Sequence, residues 1–176
     1  GTNDGGAVLV GGDYQGKNAD IRNASVTYVD RNTVIKADAT DTGDGGKIIV
    51  WADDTTRAYG SFSAKGGANG GNGGLVETSG HRYLDIAGAR VDTTAARGNT
   101  GQWLLDPGQV DIVAGSALTN ISGGPSFTPS GGVSTLGTSD INAMLAASNV
   151  TITTVGGSGG TGDITLTPGA TINYNA

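Results

Sequence analysis

The chain has 176 residues and a net charge of −6, with 33 Gly, 4 Pro, no Cys and only 5% aromatic residues. Glycine without a three-residue period excludes collagen, and 36% hydrophobic residues gathered in short β-branched runs argue against a disordered linker. Scattered basic residues in an acidic chain argue against nucleic-acid binding, the lack of Cys excludes disulfides, and no apolar run reaches the roughly 18–20 residues that cross a bilayer.

A glycine-led strand pattern recurs along the first two thirds of the chain. Its reference glycines Gly46, Gly74 and Gly101 lie 28 and 27 residues apart (74 − 46 and 101 − 74). A fourth copy begins at Gly6, 40 residues before Gly46 (46 − 6), and we interpret the polar residues 11–24 as an insertion that absorbs the excess. A period of this size indicates stacked structural units.

Two further strands accompany each glycine-led strand. Apolar-x-small triplets begin at Ile35, Phe62 and Val91, and a looser strand pattern surrounds Tyr28 and Tyr83. Each unit therefore holds about three short strands joined by turns. Because like strands would lie above like strands, the sequence predicts an all-β protein, a right-handed parallel β-helix (β-solenoid).

Side chains of a strand alternate between its two faces. The positions predicted to face the core are Val8, Val10, Ile48, Val50, Val76, Thr78, Trp103 and Leu105. The large apolar residues predicted to face outward form what we call the apolar strip: Leu9, Ile49, Trp51, Leu75 and Leu104.

The chain divides into three predicted regions. Residues 1–113 form β-helix coils, residues 114–147 form a loop and a short helix packed on the side of the solenoid, and residues 148–176 form further coils. The helix is expected to begin at the N-cap Ser139 and to present Ile141, Met144 and Leu145 on one face. The later strands are expected at the apolar pairs Val150 and Ile152, Ile164 and Leu166, and Ile172 and Tyr174.

Long stretches of the sequence resemble large exoproteins of the filamentous haemagglutinin type. The matching segments are "GGDYQGKN", "GGKIIVWADDTTRAYG", "GGANGGNGGLVETSG", "GQWLLDPGQVDI", "SDINAMLAASNVTITT" and "GDITL". The resemblance implies a β-helical stalk, export through the outer-membrane pore of the two-partner secretion pathway, and a role in adhesion or aggregation at the surface of a Gram-negative bacterium. It also implies a receptor or glycan on a host or neighbouring cell as the partner. Since the sequence begins at Gly1, we expect a piece of a longer protein.

The apolar strip has two interpretations. Five large apolar side chains in one exposed column exceed what a monomer usually shows. The loop 114–137 and the helix after it would cover the strip, since the apolar face of the helix needs a surface to bury against. Alternatively, the strip stays open and binds a partner or a neighbouring solenoid.

Acidic residues at two corners of the predicted solenoid are candidates for a calcium-binding site. Asp41 and Asp44, and the pair Asp53 and Asp54, carry the hard oxygen ligands that calcium prefers. However, Asp does not recur at the equivalent corner, residues 67–74, as it does in calcium-binding solenoid repeats. A solvated acidic corner is the favoured interpretation, and the sequence predicts neither a metal site nor a cofactor.

Some parallel β-helices cleave polysaccharides, so we considered catalytic residues. The candidates are spread over different strand columns: Asp53, Asp54, Arg57, Arg82, Asp85, Arg90 and Asp92. The only His, His81, lies in a predicted turn without a visible Ser-Asp partner set. We therefore expect no enzyme. Two functions remain open, an adhesin stalk segment that presents loops and a filament subunit that stacks end to end through open strand edges, with a polysaccharide-active enzyme a distant third.

Overall fold

The computed structural model of the protein describes residues 1–116, 133–154 and 161–175, which form a parallel β-solenoid with one short α-helix. Each of the first three circuits, here called coils, contributes three strands. They are β1 (Ala7–Val10), β2 (Val26–Val29) and β3 (Val34–Lys36); β4 (Lys47–Ala52), β5 (Thr55–Ala58) and β6 (Ser61–Ser63); and β7 (Leu75–Gly80), β8 (Tyr83–Asp85) and β9 (Arg90–Asp92). The predicted parallel β-helix is confirmed.

The chain after the third coil is less regular. Its elements are β10 (Gln102–Leu105), β11 (Val110–Val113), β12 (Ser134–Gly137), α1 (Thr138–Leu145), β13 (Asn149–Ile152) and β14 (Ile164–Leu166). Ile172 and Tyr174, expected in a further strand, are exposed and lie outside the described strands. Most of the predicted loop, residues 117–132, and residues 155–160 lie outside the described residues.

Like strands stack in three columns, and every strand pairing is parallel. The first column is the sheet β1-β4-β7-β10-β13, the second begins with β2-β5-β8, and the third is β3-β6-β9. In the first column Val8 lies opposite Ile48, and Ile48 opposite Val76. Val76 in turn lies opposite Trp103, and the three residues from Ile48 onward are buried in the main core. The register predicted from the glycine spacing is therefore correct.

The reference glycines sit where successive coils approach most closely. The first residue of each strand donates its backbone N–H to the carbonyl oxygen of the glycine one coil earlier at 2.9 Å: Lys47 to Gly6, Leu75 to Gly46, and Gln102 to Gly74. A Cβ atom on Gly74 would overlap the carbonyl oxygen of Gly46. Only glycine fits this contact, which explains the repeat that is visible in the sequence.

A column of Asp and Asn side chains joins the coils at the corner before the first column. Asp4 Oδ1 accepts the backbone N–H of Asp44 at 3.2 Å, and Asp44 Oδ1 accepts that of Asn72 at 2.7 Å. Asn72 Oδ1 then accepts the N–H of Asn99 at 2.9 Å. Each side chain thus satisfies a loop amide of the next coil, so that this Asx ladder fixes the vertical register of the corner.

The order of strands in space departs from their order in the chain at the fourth coil. Strand β11 pairs with β12 on one side and with β14 on the other. Strand β12 also contacts β8, and the N–H of Leu84 donates to Ser134 Oγ at 3.0 Å. Strand β12 therefore lies between β8 and β11 in the second column, although it follows β11 in the chain.

Helix α1 follows β12 and contacts β12 and β13. Its N-cap is Gly137, without a side-chain cap bond, so the expected Ser139 cap is wrong by two residues. The hydroxyl of Thr138 instead accepts the N–H of Gly115 at 3.1 Å, and Ile141 enters the main core. At eight residues, α1 is too short to cross a membrane, and the described residues hold no longer apolar helix.

Candidate functional site: a clasp over the first column

The insertion, residues 11–24, leaves the first coil after β1 and lies over the outer face of the first column. Its base is closed by the N–H of Ala24, which donates to the carbonyl oxygen of Gly11 at 2.6 Å. Its 3₁₀ turn, Tyr14–Gly16, contacts β4, and its polar contacts extend as far as Asp106, which follows β10. The insertion therefore acts as a clasp that spans several coils.

Glu77 lies beneath this clasp. By register it occupies the position between Ile49 and Leu104 on the outer face of the first column, in the middle of an otherwise apolar row. It is fully buried, and its Oε1 and Oε2 atoms accept the backbone N–H of Gln15 at 3.2 and 3.1 Å. A carboxyl group buried among apolar side chains is costly to ionise, which makes Glu77 chemically distinctive.

The surroundings of Glu77 disfavour its negative charge. Burial, together with the charges of Asp106 and Asp13, raises the pKa of Glu77 to about 7, although hydrogen bonds from the Gln15 N–H and from Ser79 oppose the shift. Glu77 therefore changes its protonation near neutral pH. Carboxyl groups on a protein surface do so several pH units lower.

Gln15 is the residue that links the clasp to the sheet. It is the only non-glycine residue with positive φ (52°) in the described chain. In this conformation its backbone N–H points at Glu77, while its Nε2 donates to Asp106 Oδ2 at 3.1 Å. Asp106 is itself buried and also accepts the hydroxyl of Thr153 at 2.8 Å. A left-handed Gln is unfavourable alone, and these paired contacts hold it in place.

Asp13 joins the clasp to strand β4 by a second contact, two residues before Gln15. Lys47 Nζ donates to Asp13 Oδ1 at 2.8 Å, Asn18 Nδ2 to Oδ2 at 2.9 Å, and the N–H of Tyr14 to Oδ1 at 2.7 Å. These donors, with Lys47 first, hold the pKa of Asp13 far below its usual range. Asp13 therefore stays ionised at any pH near neutrality and contributes a fixed negative charge close to Glu77.

Trp51 forms the apolar floor of the clasp. A Cβ atom on Gly16 would come within 2.6 Å of the indole ring, so that the clasp backbone lies directly against the ring. The indole Nε1 donates to Asp53 Oδ1 at 3.1 Å, and Asn23 Nδ2 donates to the same oxygen at 2.9 Å. The imidazole of His81 stacks on the indole, with ring centroids 6.3 Å apart.

The apolar strip is therefore mostly covered. Ile49, Trp51 and Leu104 are buried, Leu75 is half-buried, and Leu9 remains 37% exposed. Most of the loop expected to cover the strip lies outside the described residues, and the structure places the expected helix elsewhere. The contacts described over this face come from the clasp, whereas the apolar face of α1 packs into the main core.

No protein-family model matches this sequence, and no curated protein is significantly similar to it. Function is therefore inferred from the solenoid and its clasp. The motifs singled out in the sequence meet at this site: "GGDYQGKN" supplies Asp13 and Gln15, "LVETSG" supplies Glu77, and "QWLLDP" supplies Asp106.

One group of the enzyme candidates comes together on the outer face of the second column. Arg57 Nε donates to Tyr59 Oη at 2.9 Å, and Tyr59 Oη donates to Asp85 Oδ2 at 2.7 Å. Burial and the Asp85 carboxylate raise the pKa of Tyr59 to about 12. All three side chains are buried, and the Arg57 guanidinium lies over the rings of Tyr28 and Tyr59. The group resembles a packed polar cluster, since its atoms are occupied with one another.

The other candidates are dispersed. Arg82 pairs with Asp54 at 3.5 Å, on partly exposed side chains, while Lys65 pairs with Asp92 at 3.7 Å. Arg90 is exposed on β9. The acidic corner residues proposed for calcium are engaged in hydrogen bonds: Asp44 with Asn72, Asp41 with Asn69, and Asp53 with Asn23. In the described part of the chain, no group of three His, Asp or Glu side chains is arranged to hold a metal ion.

Sequence reasoning did not identify Gln15, Glu77 and Asp106 as a group. Each looks like an ordinary polar residue when its own strand or loop is considered alone. The signal that could have found Glu77 is its place in an outward row of large apolar residues, between Ile49 and Leu104. A carboxylate there predicts a covering segment that supplies hydrogen-bond donors.

Proposed function

We propose that this chain is a stalk segment of a secreted adhesin of the filamentous haemagglutinin type, a rigid scaffold rather than an enzyme. The observation that carries the proposal is the unbroken first column, in which strands from successive coils pair in register from β1 to β13. Such a stack is stiff, because the first three coils are hydrogen-bonded to one another in all three strand columns.

The height of the stack bears on this role. Five strands at about 4.8 Å per coil give a column roughly 20 Å tall. A long stalk therefore needs further coils above or below, as the resemblance to large exoproteins implies. In this proposal the parent is exported through a dedicated outer-membrane pore, and the clasp and the corner loops face a receptor or glycan on a host or neighbouring cell.

Adhesion is tested directly with the purified chain. Fluorescent beads that carry the chain are incubated with epithelial and bacterial cell layers, before and after the cells are treated with glycosidases. We expect saturable binding that soluble chain competes away, and loss after glycosidase treatment identifies a glycan receptor. Binding no greater than that of albumin-coated beads would contradict the adhesin role.

A second candidate, a filament subunit, is favoured by the distribution of exposed apolar side chains. Among the described residues, the large exposed ones other than Tyr14 lie in the first coil or beyond β13: Leu9, Val26, Tyr28, Val34, Ile164, Leu166, Ile172 and Tyr174. Open strand edges at the same two ends would let a second copy continue the sheets.

Light scattering and electron microscopy across a concentration series test this candidate. A subunit that stacks end to end increases in mass with concentration and forms filaments. Val34→Lys, on the exposed strand of the first coil, should abolish them, whereas Tyr14→Lys on the clasp should not. A chain that stays monomeric throughout the series is not a filament subunit.

A further inference from the structure

Glu77 lies beneath the clasp in surroundings that favour its neutral form, because burial disfavours a carboxylate. Its side chain lies between the strip residues Ile49 and Leu104 on the neighbouring strands and is covered by Gln15, whose N–H reaches both carboxyl oxygens. Release of the clasp would return this carboxyl group to water. The closed and released states therefore present Glu77 with opposite surroundings, one apolar and one aqueous.

Other charged groups face the same space from each element around it. They are Asp13 and Lys17 on the clasp, Lys47 on β4, Asp53 and His81 after β4 and β7, and Asp106 after β10. Lys47 is engaged with Asp13, and Lys17 Nζ donates to Gln15 Oε1 at 2.7 Å. The carboxylates of Asp13 and Asp106 oppose a further negative charge on Glu77.

We propose that residues 11–24 are a pH-dependent cover of the apolar strip, held tightly in acid and released more readily at neutral and alkaline pH. Release uncovers Ile49, Trp51 and Leu104, a contiguous apolar surface. The inference goes beyond the stalk role and does not rest on it, because it concerns only the contacts between the clasp and the first column.

The direction follows from linkage. The pKa of Glu77 is about 7 when the clasp is closed, against an ordinary value of 4.5 when the side chain reaches water. Below pH 4.5 the Glu77 side chain is neutral in both states, and it does not weaken closure. Between pH 4.5 and 7 the closing equilibrium constant falls about tenfold per pH unit, and above pH 7 it levels off, about 300-fold weaker.

Hydrogen exchange of the Gln15 amide measures this equilibrium, because that N–H is bonded to Glu77 only when the clasp is closed. Rates are divided by the intrinsic rate at each pH to give protection factors. We expect protection to fall about tenfold per pH unit between pH 5 and 7 and then to level off. The amide of Val50, in the core strand β4, should stay more protected than that of Gln15 at every pH.

Two variants test whether Glu77 or His81 is the source of the pH dependence. In Glu77→Gln, a neutral side chain of similar size, Gln15 protection should not depend on pH and should match the acid value of the wild type. In His81→Gln the wild-type pH profile should persist. An unchanged profile in Glu77→Gln, a flat profile in the wild type, or equal protection of Gln15 and Val50 would each overturn the proposal.

Binding of an apolar dye gives an independent measurement of the uncovered strip. The fluorescence of the bound dye should increase from pH 5 to pH 7 in the wild type and stay low in Glu77→Gln. Gly16→Val, which forces a branched side chain against the Trp51 ring, should bind dye at all pH values. A dye signal that rises equally in the wild type and in Glu77→Gln would contradict the proposal.

Discussion

The outer faces of the first and third columns differ although their strands follow the same alternation. In β4 the outward residues Ile49 and Trp51 are as deeply buried as the inward Ile48 and Val50. In β9, the third-coil strand of the third column, the outward residue Arg90 is exposed. The difference comes from the clasp, which covers the first column. Alternation thus determines which way a side chain points, while burial depends on what lies outside the solenoid.

The largest effect is expected when an inward residue of the first column is removed. Trp103 fills the core between coils, and its Nε1 donates to Thr78 Oγ1 at 2.9 Å. Trp103→Ala should lower the free energy of unfolding by about 4 kcal/mol, because the surrounding coils cannot close the cavity. Urea unfolding measures the loss. A loss under 1 kcal/mol would mean that the core is not the source of stability.

Trp51→Ala makes the equivalent change on the covered outer face. We expect a loss of about 2 kcal/mol, smaller than for Trp103, because a covering loop can collapse onto the space that the indole leaves. The same urea titration measures it, with Trp51→Phe as the comparison that loses the hydrogen bond to Asp53 but keeps an aromatic ring at the site. Equal losses at Trp51 and Trp103 would show that the two faces are equally rigid.

Gly16→Ala tests the fit of the clasp against Trp51. Gly16 has φ = 63°, and its added Cβ would lie 2.6 Å from the indole ring. The expected loss is about 2 kcal/mol, from backbone strain together with the overlap. Gly88→Ala is the matched control, since Gly88 has φ = 81° and open space around it. A clasp that does not rest on Trp51 would give equal losses at the two glycines.

The smallest effect is expected in the Asx ladder. Asn72→Ala removes the oxygen that accepts the N–H of Asn99 and the amide that donates to Asp44, for an expected loss of about 1 kcal/mol. Asn99→Ala should cost under about 0.5 kcal/mol, because the ladder uses only the backbone of Asn99. Thermal unfolding of the pair compares them. Similar melting temperatures for the two variants would show that the Asx ladder does not contribute to fixing the register.

The solenoid could be predicted because its signals repeat. Gly46, Gly74 and Gly101 are each required by the same close approach of neighbouring coils. Their regular spacing in the sequence therefore predicts which residues of neighbouring strands lie opposite one another. The helix was placed correctly within a residue or two, but its cap was not, because Gly137 continues directly from β12 into α1.

The clasp could be predicted only in part. The excess length before Gly46 indicated an insertion at residues 11–24, and the outward apolar residues indicated a cover. No local pattern links the two, since Gln15 and Glu77 are 62 positions apart and Gln15 and Asp106 are 91 apart. Pairing across that distance depends on the completed stack, which brings β4, β7 and β10 side by side.

The displaced position of β12 constrains how the chain can assemble. A chain that emerges with its amino end first can add each of the first three coils as it appears, because each new strand finds its neighbour already in place. Strand β11 breaks this sequence, since its partner toward β8 is β12, which is made later. Until residue 137 has emerged, β11 either waits or pairs with β8 and must then be displaced. The final pairing of β11 therefore depends on a segment that follows it in the chain.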